Sequence, residues 1–160
     1  MLTTYESLPD TTRVWVYQSS RSFTAEELQN LLPQLQQFTA KWVSHNQALK
    51  AFAKVYHQRF IVLMVDESQA GASGCSIDKS VYFMKQLEAE YQINLFDRLT
   101  FGFKDGEEIR LVPKEEFAAL YREGKIDDQT LVFDNLVKNK GEFEQRWIRP
   151  LEESWHKRMV

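Results

Sequence analysis

Ser73-Gly74-Cys75-Ser76-Ile77-Asp78 gathers the residues of this chain best suited to chemistry: its single cysteine, two hydroxyls and a glycine, just ahead of a run with helical spacing. A thiol near a helix N-terminus has its thiolate favoured, the setting of many reactive cysteines. The free amides of such a terminus also present partial positive charge to an anion. Two readings follow. In one, Cys75 is a nucleophile, with a base drawn from His45, His57 or His156 and with Asp66 or Asp78 as the orienting carboxylate. In the other, Ser73, Gly74, Cys75 and Ser76 cradle an anion with their amides. Against both stands the commonest role of a free cysteine, a small apolar group packed inside.

Neighbouring chemistries fit less well. Aligned on Lys79-Ser80, a phosphate loop needs glycine where the chain has Ser73 and Asp78, and a carboxylate at the second position repels phosphate. Three separated histidines and one cysteine show none of the close pairs of a zinc site, so neither a metal nor a cofactor is expected. Asp66 and Glu67 are adjacent on a strand and point to opposite faces, which opposes joint acid/base work. His57 is expected to face solvent beside a strand turn, His45 to cap the preceding helix, and His156 to pack beside Trp155.

The elements that must position these groups are legible as patterns. Arg13–Gln18, with Val14, Trp15, Val16 and Tyr17, reads as a first strand. Thr24-Ala25-Glu26-Glu27 is a capping box opening a helix whose Leu28, Leu31, Leu35, Phe38 and Trp42 share a face, with Pro33 expected to kink it. Ala48–Tyr56 and Phe60–Asp66 read as paired strands, the second fully buried. The small-residue loop Glu67–Ser76 leads into a helix over Ile77–Gln92, with Ile77, Val81, Met84, Leu87 and Tyr91 facing inward. A strand at Leu99–Phe103 completes the βαββαβ order of a ferredoxin-like sandwich. Asp105-Gly106 marks a hairpin into Ile109–Val112, Pro113 opens a short helix, and Gly124 closes it in the left-handed conformation. Thr130–Phe133 reads as a strand. Phe143, Trp147, Leu151 and Trp155, four apart, read as a C-terminal helix interrupted at Pro150.

The fold class is therefore α+β, with a sandwich portion over residues 1–98 and a hairpin-helix-strand segment plus C-terminal helix over 99–160, or one continuous domain over 1–160. A chain of 160 residues with 43% apolar content is long enough to bury a core. Its 20 basic against 23 acidic residues supply no broad attraction to nucleic acid or anionic lipid. Lys138 with Lys140, and His156-Lys157-Arg158, are short clusters that read as solvated faces. One cysteine forms no intrachain disulfide, and Met1–Asp10 lacks the apolar stretch of a signal peptide, so a cytoplasmic location with neither nucleic acid nor membrane as partner is expected.

Phe103-Lys104-Asp105-Gly106, Pro113, Glu116-Phe117, Leu120, Gly124-Lys125-Ile126 and Thr130-Leu131-Val132-Phe133 resemble the pattern of GYF-type domains, small adaptors that bind proline-rich peptides through aromatic side chains. The Gly-Pro-aromatic step that names those domains is replaced by Arg110-Leu111-Val112-Pro113. Over nearly its whole length the chain also resembles a family of small uncharacterised bacterial proteins. The segments that carry this likeness are Trp15–Ser19, Arg59–Leu63, Ala72–Asp78, Val132–Val137 and Ser154–His156. Such proteins are often labelled transporter ATPases, but neither an ABC signature nor a nucleotide loop stands in this sequence.

The leading expectation is a non-enzymatic protein-binding or adaptor protein that meets a protein or peptide partner through Trp147 and Trp155. The alternative is a small enzyme built on the Ser73–Asp78 loop, with catalytic candidates Cys75, His45, His156 and Asp66.

Overall fold

The computed structural model describes every residue of the chain except Leu2. The first strand, β1 (Arg13–Gln18), is followed by α1 (Ala25–Lys41), which starts where Thr24 accepts from the Glu27 amide and the Glu27 carboxylate accepts from the Thr24 amide. Bidentate pairing with Arg21 and the cap bond hold the Glu27 carboxyl down at about 2. Leu31, Leu35 and Thr39 give α1 its buried stripe, and the helix runs on through Pro33. A minimal hairpin, β2 (Val43–Ser44) and β3 (Gln47–Ala48), turns at His45-Asn46, both with positive φ. His45 is thus an exposed turn residue; the helix ends at Trp42.

Strands β4 (Lys50–Tyr56) and β5 (Phe60–Asp66) pair antiparallel across a short turn, and every residue of β5 is buried. Its odd-numbered residues Ile61, Leu63 and Val65 face α1 and the following helix, α2 (Gly74–Tyr91), whereas Phe60, Val62 and Met64 face the C-terminal half. That is the period-two alternation of a sheet covered on both sides. Helix α2 begins three residues before the expected Ile77, because Ser73 caps it, and it turns Ser76 and Ser80 inward beside Met84, Leu87 and Tyr91. Ile77 and Val81 are only half-buried.

The sheet order β1-β5-β4 leaves room for a fourth strand beside β1, where a ferredoxin-like sandwich would have it. That strand is absent from this sheet. Gln92 adopts a left-handed conformation (φ 56) that ends α2, and Asn94 then pins the chain to the end of β1 through two bonds of 3.0 Å with Ser20. Asp97 accepts from the Leu99 amide and the Thr100 hydroxyl, which redirects the chain. The next strand, β6 (Thr100–Asp105), therefore joins a second sheet with β7 (Glu108–Pro113), turning at Gly106 (φ 65). Phe101 and Phe103 are drawn there by α3 (Lys114–Arg122) and its buried Phe117 and Leu120.

The second sheet is completed by β8 (Leu131–Phe133) and β9 (Ile148–Pro150) in the order β7-β6-β8-β9. The expected C-terminal helix is replaced by α4 (Lys140–Arg146), strand β9 and two 3₁₀ turns, Leu151–Glu153 and Trp155–Met159. Pro150 has no amide to give a helix and holds Arg149 extended, so four-residue spacing of aromatics here does not mean continuous helix. Phe133, Val137, Phe143 and Trp147 pack on Phe60, Val62 and Met64, so one core joins residues from both halves of the chain. No described helix is long and apolar enough to cross a membrane.

Candidate functional site

The loop ahead of α2 uses its polar groups on itself. Ser73 and Ser76 form a reciprocal capping box, the Ile77 amide bonds to the Ser73 carbonyl, the Ala72 amide to Glu67 Oε2 at 2.8 Å, and the Ser68 amide to Asp66 Oδ1 at 3.0 Å. Cys75 is exposed rather than packed inside and makes no side-chain hydrogen bond among the described residues. The structure does not join the catalytic candidates: His45 lies in the β2–β3 turn, Asp66 pairs with Lys50 at 3.7 Å, and His156 is buried against Phe101 and Phe117. His57 sits in the β4–β5 turn with its ring against Phe60, Phe133 and Trp147, and burial with nearby Lys104 pulls its pKa down. Ser73→Ala is expected to cost about 1 kcal/mol through loss of the cap, read from urea unfolding.

A different place has the shape of a site. Between the outer edge of β1, the Leu95–Gly102 segment, the Asn135–Lys138 loop and the last 3₁₀ turn lies a groove of about 850 Å³. This is the place a fourth strand of the first sheet would fill. The Ser19 amide bonds to the Arg59 carbonyl on the β5 side, whereas Val14 bonds outward to the Lys138 carbonyl (2.9 Å) and Ser20 outward to the Asn94 carbonyl (3.0 Å). Strand alternation then points the amides and carbonyls of Val16 and Gln18 outward as well. Among the described residues those two positions have no backbone partner on the groove side.

Side chains of the groove are fixed by a polar network. Gln18 Nε2 donates to the Thr100 carbonyl at 3.1 Å, Asn135 Nδ2 donates to Gln18 Oε1 at 3.0 Å, and Trp147 Nε1 donates to Asn135 Oδ1 at 2.9 Å. Trp147, expected from sequence to meet a partner, is 4% exposed and holds Asn135 from inside the core. Trp155 does line the groove. Its indole donates to Asp134 Oδ1 at 2.8 Å and stacks on His156 at 3.8 Å between ring centroids. Asp134 also accepts from the Leu136 amide and from Arg149 at 2.9 Å, tying the groove wall to β9.

Four cationic side chains line the groove, Arg13, Arg98, Lys114 and Lys138, against one carboxylate, Asp97, which is already engaged by Leu99 and Thr100. Arg13 reaches Glu67 only loosely at 3.8 Å, and no salt bridge holds the other three among the described residues. Leu99, Leu136 and Met159 are exposed apolar residues, and all three line this groove. In a chain of net charge -3, that makes a local cationic, apolar-lipped cleft.

Nucleophilic chemistry finds little purchase there. Ser154 Oγ lies 2.6 Å from His156 Nδ1, a nucleophile–base distance, but Ser154 is buried off the groove wall and its oxygen caps the terminal 3₁₀ turn. Burial pushes the His156 imidazole down to about 4, with Asp134 opposing and Arg149 assisting, so it is a weak base at neutral pH. No group of three or more His, Cys, Asp or Glu among the described residues is placed to hold a metal ion.

Sequence reasoning passed over Arg98, Lys114 and Arg149 and gave Gln18, Asp134 and Asn135 no role beyond the resemblance, because their meaning comes from pairing with residues distant in the chain. The adjacent polar Asp134-Asn135 directly after an apolar strand was the one local signal. Comparison with family models, with curated proteins and with solved structures gave no match to this chain.

Proposed function

We propose that this chain is a cytoplasmic, non-enzymatic binding or adaptor protein whose partner, a protein or peptide, enters the groove beside β1 with an acidic group toward Arg13, Arg98, Lys114 and Lys138. The single observation that carries this reading is the coincidence of an unfilled strand position, a cationic lining and exposed Leu99, Leu136 and Met159 in one cleft. The first sheet is read as a ferredoxin-like arrangement whose last strand has moved away, leaving its place to a ligand. The GYF-like pattern of Phe101–Phe133 supports an adaptor role. Three segments that carry the likeness to small bacterial proteins, Trp15–Ser19, Val132–Val137 and Ser154–His156, meet at or beside this groove. The competing reading, an enzyme built on Ser73–Asp78, draws support only from an exposed thiol.

The test is ligand-induced thermal stabilisation across a panel of acidic peptides and aromatic carboxylates, with sulfate as the control for general salt effects. A ligand at about 100 times its Kd adds about 2.7 kcal/mol to the folded state. The paired charge reversal Lys114→Glu with Lys138→Glu, both exposed, is expected to leave the unliganded midpoint nearly unchanged and to abolish the stabilisation. Equal stabilisation of wild type and reversed variant would place the ligand elsewhere.

A further inference from the structure

We infer that the groove takes its partner as an extended acidic peptide, added as a strand to the outer edge of β1. This rests on the groove being the binding site and goes beyond it by naming the mode and the class of ligand. Extended peptides recognised at a sheet edge draw affinity from main-chain bonds and specificity from alternate side chains.

The edge is interrupted rather than free. Val14 and Ser20 are bonded outward to the chain itself, and Val16 and Gln18 between them are not. The span from Val14 to Ser20 is roughly 20 Å at the usual rise per residue of a strand. A peptide of about five residues fits between those closures. Running antiparallel, one peptide residue exchanges both backbone bonds with Val16 and the residue two away exchanges both with Gln18.

Charge selects the occupant. Arg13, Arg98, Lys114 and Lys138 present four cations to a strand lying here, against one carboxylate among the described residues of the lining, Asp97, which the Leu99 amide and the Thr100 hydroxyl hold in its own turn. A second copy paired edge to edge about a two-fold axis would bring the same four cations to face their equals, and like charges across an interface are disfavoured. A nucleic acid would need cations spread along an open face, whereas these surround a cleft lipped by Leu99, Leu136 and Met159. The alternating side chains of an acidic strand satisfy both features, apolar residues meeting the lips and carboxylates meeting the cations.

The experiment uses the full chain and a set of N-acetylated, C-amidated pentapeptides in which Val, Leu or Thr alternates with Asp or Glu. Affinity is measured by calorimetry, and amide hydrogen exchange is read residue by residue. At saturation the Val16 and Gln18 amides are expected to gain protection about tenfold or more, while Trp15 and Tyr17, already bonded to β5, do not change. N-methylation of the two peptide residues facing β1 is expected to weaken binding by about tenfold or more, and N-methylation of the intervening residues much less. Replacing Asp and Glu by Asn and Gln weakens binding to wild type, whereas the Lys114→Glu, Lys138→Glu variant, which no longer takes the acidic peptides, binds the neutral ones no worse than the acidic ones.

Binding with shift changes in the groove but no new protection at Val16 and Gln18 would overturn strand addition while leaving the groove as the site. Stabilisation by aromatic carboxylates alone has the same meaning. Concentration-dependent dimerisation that protects the same two amides would replace the peptide by a second copy. If neither peptides nor carboxylates bind, both this inference and the functional reading fail.

Discussion

Asp134→Ala lowers the unfolding free energy by about 3 kcal/mol, the lower end of the cost of breaking a buried ion pair. Asp134 is 6% exposed and accepts from Arg149, from the Trp155 indole and from the Leu136 amide. Removing it strands an arginine whose Nε already lacks a partner and whose side chain keeps only 21% exposure. Two other donors lose their acceptor in the same step. The lower end applies because that remaining exposure lets water relieve part of the charge. Urea unfolding gives the loss directly. Asp134→Asn, which retains an oxygen for the Trp155 indole and the Leu136 amide, is expected to cost less, and combining it with Arg149→Met recovers part of the difference. The same substitution loosens Trp155 and the Asn135–Lys138 wall, so ligand stabilisation should fall more steeply than in other variants of equal stability.

Acidification provides the second large effect. His156 is 1% exposed and stacked on Trp155, and burial holds its folded-state value at about 4 against 6.5 for the free side chain. Above 6.5 neither the folded nor the unfolded form carries the proton, so the stabilising effect is fully present. As pH falls from 6.5 toward 4 the unfolded chain takes up a proton that the folded chain refuses, and stability drops. Across that interval the loss reaches about 3 kcal/mol, because a tenfold change in proton activity is worth about 1.4 kcal/mol. His57, also lowered by burial, acts with the same sign and more weakly because it sits in an exposed turn. Unfolding free energy against pH for wild type and His156→Leu separates the contributions. The variant should have the flatter limb between pH 6.5 and 4, and parallel limbs would show that His156 titrates normally in the folded protein.

Local chemistry explains which parts of this architecture could be read in advance. Thr24 with Glu27 opens α1, the continuous apolar run Phe60–Asp66 is the buried central strand, and Asp105-Gly106 turns the β6–β7 hairpin, since each depends on neighbours in sequence. Where the expectation missed, a distant contact decided. The period of α2 suggested Ile77 and Val81 as inward residues, yet Ser76 and Ser80 lie inside, and the Trp42 indole donates to the Ser76 carbonyl at 2.8 Å. Aromatics four apart from Phe143 to Trp155 imitate a helix, but Pro150 breaks it and β8 recruits Ile148–Pro150 as a strand. β6 lies in the second sheet, not the first, and its Phe101 and Phe103 pack there on Phe117, a partner more than a dozen residues away.

The candidate site was harder still to see. A loop rich in small residues around Cys75 attracts attention because its signal is local, whereas the groove is made by an edge that no strand occupies. Val16 and Gln18 look like ordinary strand residues in sequence. Only the bonds of Val14 to Lys138 and of Ser20 to Asn94 show that two places between them stand open. Arg13, Arg98, Lys114 and Lys138 are spread over more than a hundred residues and become a cluster through the fold alone.

The most direct measurement is a residue-resolved amide shift map of the isotope-labelled chain titrated with the strongest acidic probe. Shifts concentrated on residues 13–18, 95–102, 135–138 and 155–159 are the predicted result. A map centred instead on Ser73–Asp78, or one with no saturable shifts beside β1, would contradict it and return attention to the exposed thiol.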